Sequence, residues 1–185
     1  MSVETDLKII ERISKEKEIE NWEFRAFLKQ LDIEEEDLDS TVHQIYNDVL
    51  LKIDCTKCAN CCKQVRPILD EKDISRFAFG FKMKIQEFKD KYITKDKDEP
   101  EGYIFNKMPC PFLKDNLCVN YKHRPVDCSS YPHLHKEEFL SRTWSVIENC
   151  SVCPIVFNLY ERLKIELWHS DYDDNEEYDI DDSTP

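Results

Sequence analysis

The chain has 185 residues, a formal net charge of −13, 41% hydrophobic residues and two glycines. The apolar content excludes wholesale disorder, and the isolated Gly80 and Gly102 cannot build the glycine-rich loop of a dinucleotide, phosphate or methyl-donor site. The acidic balance, without a basic stripe, argues against nucleic-acid binding, because such proteins neutralise phosphates with clustered Lys and Arg.

The segment 1–52 predicts three amphipathic helices that form an N-terminal extension. Apolar residues recur at helical spacing in all three, with Asn21 as the expected N-cap of the second helix. Val42–Ile53 forms the apolar stripe of the third helix, which leads directly into Cys55.

Helical and extended patterns alternate after the first cysteines. Asp70 is placed as the N-cap of a helix that carries Ile74 to Phe81, and a second stripe runs from Ile85 to Tyr92. The remaining segments predict a surface loop at 94–101, a strand at 102–108, a hairpin turning at 114–116, a strand at 138–147 and a final helix at 155–168.

These elements predict a mainly α fold with a small β-hairpin or strand element. Following the amphipathic helices in the chain, residues 53–169 are expected to form an irregular, loop-rich cysteine domain that folds around metal. The segment 170–185 holds eight acidic residues and predicts a disordered tail. The sequence shows no signal-peptide pattern and no apolar run long enough for a bilayer, so we expect a cytoplasmic protein that binds no membrane.

The nine cysteines are the main functional signal. In a reducing compartment they favour metal ligation or catalysis over disulfides, and an odd number suits a closed disulfide framework poorly. A cysteine packed in a hydrophobic core would lie on the apolar face of a helix, and none of the nine falls on a predicted apolar face. We therefore take all nine as candidate metal ligands: Cys55, Cys58, Cys61, Cys62, Cys110, Cys118, Cys128, Cys150 and Cys153.

The spacing leaves the partition of these ligands open. The C-x2-C-x2-C run from Cys55 to Cys61 is typical of iron–sulfur ligation, which a remote cysteine completes. A zinc site of two C-x2-C pairs, with Cys150 and Cys153 as the second pair, is the alternative. Adjacent side chains tend to point different ways, so Cys62 is expected to serve a second metal or to remain a free thiol.

The motifs "CTKCANCCK" and "CPFLKDNLCVNYKHRPVDCSSYP", with the late Cys153-Pro154, resemble the CxxCxxCC cysteine-cluster family, the YkgJ-like zinc- or iron-chelating domain. The resemblance covers about residues 53 to 160. It implies a metal-binding domain, often described as an iron–sulfur protein or oxidoreductase, with flagellin lysine methylases among its larger relatives. Cys150, the N-terminal extension and the acidic tail depart from the family pattern.

Two further residues are candidates for cofactor binding. Arg124 can donate to cluster sulfurs or balance thiolate charge, and Tyr131 lies beside the same cysteine loop. His123, His133 and His135 flank this loop but are weaker ligand candidates, given nine thiols.

Three functional hypotheses follow. The first is a protein with an iron–sulfur cluster or iron and an oxidoreductase or electron-transfer role. The second is a zinc-stapled module that recruits a protein partner. The third is a protein-modifying enzyme related to lysine methylases. The sequence leaves any reaction and the oligomeric state open.

Overall fold

The computed structural model describes residues 2–97 and 102–168. The chain divides into two compact units, one formed by residues 1–49 and 135–185 and the other by residues 50–134. The predicted cysteine domain, 53–169, is therefore distributed over both units. The predicted tail, 170–185, lies outside the described residues.

The prediction of a mainly α fold with small β elements is confirmed. Within the described residues the helices are α1 (Leu7–Glu16), α2 (Glu18–Leu28), α3 (Glu35–Leu50), α4 (Cys55–Cys58), α5 (Asn60–Gln64), α6 (Glu71–Gly80), α7 (Ile85–Tyr92), α8 (Val126–Ser130), α9 (Phe139–Cys150) and α10 (Pro154–Leu167). The strands are β1 (Ile93–Lys95), β2 (Tyr103–Phe105), β3 (Leu113–Lys114) and β4 (Leu117–Cys118), and a 3₁₀ turn spans Tyr121–His123. None of the described helices has the length and apolar character needed to cross a membrane.

Helices α1 to α3 confirm the three predicted N-terminal helices. Asp6 caps α1, because its carboxylate accepts a hydrogen bond from the backbone N–H of Lys8 at 2.8 Å. The prediction that Asn21 caps α2 is wrong, since α2 already begins at Glu18. Asn21 is instead buried inside the helix, where its side-chain oxygen accepts a hydrogen bond from Lys164 Nζ at 3.0 Å.

The segment predicted as a strand at 138–147 lies mostly in helix α9. Its β-branched and aromatic residues favour a strand by local propensity, but tertiary burial decides the outcome. The buried side chains of α9 recur at helical spacing: Phe139, Thr143, Val146, Ile147 and Cys150. Helix α9 contacts α1, α2 and α10 within the first unit.

Helix α10 confirms the predicted final helix and supplies much of the core of the first unit. Pro154 stands in its first turn, where a missing N–H costs nothing. Phe24 packs edge-to-face on Tyr160, with ring centroids 5.3 Å apart. The buried ammonium of Lys164 lies 2.5 Å from a carboxylate oxygen of both Glu20 and Glu161, which pair its charge.

Aromatic side chains form the core of the second unit. The ring of Phe77 meets those of Phe88 and Phe112 at centroid distances of 5.8 and 4.8 Å. Asp70 is the N-cap of α6 as predicted, because its carboxylate accepts a hydrogen bond from the N–H of Asp73 at 2.6 Å. This core supports the loops that carry the cysteines.

Two small antiparallel pairs complete the second unit. Strand β2 confirms part of the strand predicted at 102–108, and β1 pairs with it, so residues 94 and 95 of the predicted loop are strand. The predicted hairpin is confirmed as β3–β4. Its turn residues Asp115 and Asn116 have φ of 49° and 61°, the left-handed backbone that tight hairpin turns need.

Candidate metal centre

The CxxCxxCC run folds into the short helices α4 and α5, which meet at Ala59. Asp54 starts α4, since its carboxylate accepts the backbone N–H of Thr56 at 2.9 Å. Ala59 adopts the left-handed conformation, with φ 49° and ψ 20°, at a cost of about 1–2 kcal/mol for a residue with a Cβ. This break turns the chain between Cys58 and Cys61.

Four cysteines from three separate segments line one open pocket in the second unit. Cys61 and Cys62 come from α5, Cys110 precedes the hairpin, and Cys128 comes from α8. The other lining residues are Val65, Pro67, Asp127 and Tyr131. The pocket therefore combines thiols with a largely apolar wall and one carboxylate.

The adjacent pair Cys61 and Cys62 does not separate as expected from the sequence. Both side chains line the same pocket and are hydrogen-bonded to each other. Neighbouring residues of a helix are about 100° apart around its axis, so the two side chains leave the helix in different directions but can still border one wide concavity. Cys62 therefore lies with the other pocket thiols.

Backbone and side-chain hydrogen bonds hold the three segments together. The N–H of Cys110 donates to the carbonyl of Cys62 at 2.8 Å. The carboxylate of Asp127 accepts the N–H of Ile68 at 3.0 Å, which ties α8 to the chain after α5. The buried carboxylate of Asp73 accepts the N–H of Val126 at 3.0 Å, so helix α6 positions the start of α8.

Burial raises the pKa of most cysteine thiols of the second unit. It raises the pKa of Cys110 to about 11, and it also raises the pKa of Cys55, Cys118 and Cys128 above the usual value. Neighbouring thiolates add to the increase for Cys110 and Cys128. Since metals bind thiolates, loading this pocket must release protons.

Cys62 is the exception among these thiols. The hydrogen bond from Cys61 lowers the pKa of Cys62 to about 7, and the positive charges of Arg124 and Lys63 act in the same direction against burial. Such a thiol is about half ionised at pH 7, so a larger fraction of it is thiolate than of the thiols whose pKa is raised.

Arg124 lies close to the cysteines without lining the pocket. Its guanidinium stacks on the ring of Tyr121 at 3.9 Å. Its charge helps to lower the pKa of Cys62 and partly offsets the increase in the pKa of Cys55 and Cys118 that burial causes. Tyr131, the other predicted cofactor-binding residue, does line the pocket.

Three predicted ligands of the second unit lie outside the pocket lining. Cys55 and Cys58 belong to α4 and affect each other electrostatically. Cys118 is half-buried in β4 opposite Leu113, and the Cys62 thiolate raises its pKa. Cys118 is therefore a neighbour of the pocket thiols, and Cys55 and Cys58 lie in the helix that precedes α5.

Cys150 and Cys153 belong to the first unit and are both buried. Cys150 lies on the buried face of α9, which contradicts the expectation that no cysteine falls on an apolar helix face. Burial raises its pKa well above the usual value. Cys153 is the N-cap of α10.

Sequence reasoning missed Asp127 as a pocket residue, although its position next to Cys128 was a signal. One carboxylate oxygen of Asp127, Oδ2, accepts the N–H of Ile68, and the other, Oδ1, lies 3.1 Å from His133 Nε2. His133 Nδ1 lies 3.0 Å from Ser130 Oγ. None of the three histidines flanking this loop, at 123, 133 and 135, lines the pocket.

The donor set suits a thiophilic metal. All nine cysteines lie in the described residues, and none of them is in a disulfide. Zinc and iron centres are both held by cysteine thiolates. Within residues 2–97 and 102–168, however, no three Cys, His, Asp or Glu side chains are already arranged to hold an ion. The pocket thus gathers thiol donors that are not arranged around an ion.

The model of the CxxCxxCC family, described as a zinc- or iron-chelating domain, matches residues 54–154, more than half of the chain. The chain belongs to the CxxCxxCC family. Comparisons with curated proteins and with solved structures give no match. Membership confirms the resemblance seen in the cysteine motifs, and it supports metal binding by a zinc- or iron-chelating domain.

Proposed function

We propose that the pocket binds iron, as an iron–sulfur cluster or as iron, and that the protein serves electron transfer or an oxidoreductase reaction. The observation that carries this proposal is that one pocket is lined by four cysteines from three chain segments: Cys61, Cys62, Cys110 and Cys128. Four thiolates are the ligand set of the common iron–sulfur clusters.

The surplus of thiols supports iron–sulfur chemistry. A structural zinc site is closed by four ligands, whereas the second unit carries seven cysteines. Cys55, Cys58 and Cys118 are available to complete a cluster or to hold a second metal. The C-x2-C-x2-C spacing of Cys55, Cys58 and Cys61 is also the spacing of ferredoxin ligands.

Arg124 and Tyr131 are proposed to act on the cofactor without ligating it. Charge compensation and hydrogen bonds to sulfur tune the reduction potential of a cluster. Arg124 already influences three of the thiols electrostatically, and Tyr131 contributes to the pocket wall. A reducing cytoplasm, where cysteines are kept as thiols and can bind metal, is part of the proposal.

Zinc is the alternative occupant, and a specific observation favours it. The pocket presents four thiols, the number that a tetrahedral structural zinc site uses. In that case the metal would contribute folding free energy and the domain would recruit a partner without catalysis.

Metal analysis after anaerobic purification distinguishes the iron proposal from the zinc alternative. The iron proposal predicts a brown protein whose iron and acid-labile sulfide are stoichiometric with the chain. Iron without sulfide would support iron held directly by thiolates. A colourless protein with stoichiometric zinc would overturn the iron proposal in favour of the zinc module.

A further inference from the structure

The chain leaving the β3–β4 hairpin alternates between exposed and buried side chains. Leu117, Val119 and Tyr121 are 49%, 53% and 50% exposed. Between them, Cys118 is half-buried and Asn120 is buried, with its amide donating to the carbonyl of Phe77 at 2.8 Å. The three large apolar residues therefore lie on the solvent side of the segment that brings Cys118 toward the pocket thiols.

A fourth apolar residue extends this surface. Phe79 of α6 is 74% exposed, and its ring meets that of His123, in the 3₁₀ turn that also contains Tyr121, at a centroid distance of 5.8 Å. We call Phe79, Leu117, Val119 and Tyr121 the apolar strip. Single exposed apolar side chains are ordinary, whereas four large ones on neighbouring elements indicate a candidate interaction surface.

Positive charges border the apolar strip. Lys114 is exposed and pairs with Leu117 in the hairpin register. Lys122 is exposed next to Tyr121, and the guanidinium of Arg124 stacks on the Tyr121 ring at 3.9 Å. An apolar centre with a rim of cations complements a protein surface whose apolar centre is rimmed by carboxylates.

The charge of the whole second unit agrees with this local pattern. Residues 50–134 contain 16 Lys and Arg against 12 Asp and Glu, a net charge of +4, although the chain as a whole carries −13. The cysteine-bearing unit is thus the basic part of an acidic protein. Within this unit the excess of cations favours an acidic partner over a basic one at the strip.

We propose that the apolar strip, with Lys114, Lys122 and Arg124, is a docking surface for an acidic protein electron carrier. The electron-transfer use of this surface rests on the proposed iron centre. In that step one electron leaves the reduced carrier and enters the oxidised centre, and no bond forms or breaks. Cys118 lies on the inner side of the strip and pairs with Leu113, whose N–H donates to the carbonyl of the pocket residue Cys110 at 3.1 Å. Docking at the strip therefore brings the carrier close to the pocket.

The composition of the strip favours a protein over a nucleic acid. Duplex DNA binding depends on several phosphate contacts and falls steeply with salt. Here three cations surround four large apolar side chains, whose burial needs an apolar counterpart. Nucleic-acid binding is therefore an outcome that the experiment must exclude.

The test measures binding of the metal-loaded full chain to a flavodoxin, an acidic flavin-carrying electron carrier, by calorimetry at low and at physiological salt. We expect saturable binding that weakens with salt. The double variant Lys114→Glu with Lys122→Glu should weaken it about tenfold or more. The matched variant Lys84→Glu with Lys91→Glu makes the same charge change at the two ends of helix α7, where Lys84 is the N-cap, and should leave binding within about twofold. Tyr121→Ser tests the apolar centre and should also weaken binding.

Several results would overturn the docking surface. These are no saturable binding, equal weakening by the two double variants, equally tight binding of a basic cytochrome c, or binding of duplex DNA in place of the flavodoxin. Metal analysis of every variant separates this proposal from the proposed function. If the protein holds only zinc and flavodoxin still binds at the strip, the docking surface stands and the iron centre is overturned. If the protein holds an intact cluster and flavodoxin does not bind, the iron centre stands and the docking surface is overturned.

Discussion

The backbone N–H of Cys110 donates a hydrogen bond to the carbonyl oxygen of Cys62 at 2.8 Å. This bond joins two cysteine motifs that are 48 residues apart in the chain. It places the residue that begins the CPFL segment beside the end of the CxxCxxCC run, so both thiols border the same pocket.

The pocket thiols should each be necessary for metal retention. Replacing Cys62 or Cys128 by Ser removes a thiolate from a set of four, and we expect the metal content of the purified protein to fall about tenfold or more. Ser129→Ala changes an exposed neighbour of Cys128 and should retain the metal. Full metal content in the Cys62→Ser variant would show that Cys62 is a spare thiol.

Alkylation of the metal-free protein should distinguish Cys62 from Cys110 by pH. The thiolate is the reactive form, so alkylation of Cys62 should be half-maximal near pH 7 and that of Cys110 near pH 11. Arg124→Gln removes a cation that lowers the pKa of Cys62 and should shift its profile to higher pH. Peptide mass spectrometry across a pH series measures both profiles.

The control for this experiment is Lys122→Gln, a neutralisation on the same 3₁₀ turn that should leave the Cys62 profile in place. Equal shifts in both variants would mean that Arg124 acts only through the overall charge of the unit.

The buried carboxylate of Asp73 should link the stability of the second unit to metal binding. It accepts the N–H of Val126 and pairs with Arg76, which also donates to the carbonyl of Arg124 at 3.0 Å. Asp73→Ala leaves these donors unsatisfied and should lower the free energy of unfolding by about 1–3 kcal/mol. Chemical denaturation measures the loss, and a metal-competition assay should show weaker binding.

Asp90→Ala is the matched control, since Asp90 is exposed on α7 and bonds only Gln86 in the described contacts. Unchanged stability of Asp73→Ala would contradict a structural role for this carboxylate.

Gly80 should tolerate no side chain, because the 3₁₀ turn approaches it closely. A Cβ at this position would lie 2.2 Å from Asn120 Oδ1 and 2.6 Å from His123 Nδ1. These two side chains are hydrogen-bonded to each other at 2.9 Å, and Asn120 is buried, so neither can move without loss. Gly80→Ala should destabilise the protein by about 1–3 kcal/mol in thermal or chemical unfolding. Ser75→Ala, at an exposed position of the same helix, should not.

The buried Lys164 should be essential to the first unit. Its ammonium is 2% exposed and contacts Glu20, Glu161 and Asn21. Lys164→Met removes one of the two cations that pair with Glu20 and Glu161, the other being Lys17, and should lower the free energy of unfolding by about 1–3 kcal/mol. Lys15→Met breaks an exposed pair with Glu11 and should have no measurable effect. Equal stability of the two variants would refute the role of Lys164.

Local patterns in the sequence determined the helices, the hairpin and the family. These signals act over a few residues, so they can be recognised from the sequence alone. They are the helical spacing of apolar residues, the cap at Asp70 and the turn at Asp115-Asn116. The cysteine spacing likewise identified a zinc- or iron-chelating domain, which the family model confirms over residues 54–154.

Only the tertiary structure decided which residues meet. It made residues 139–150 a helix by burying one face of a segment with strand propensity, and it placed Asn21 inside α2 for a contact with a residue far along the chain. It also brought Cys61, Cys62, Cys110 and Cys128 to one pocket, with Asp127 among them. Such contacts depend on how separate segments pack, and the spacing of residues along the chain carries no record of that packing.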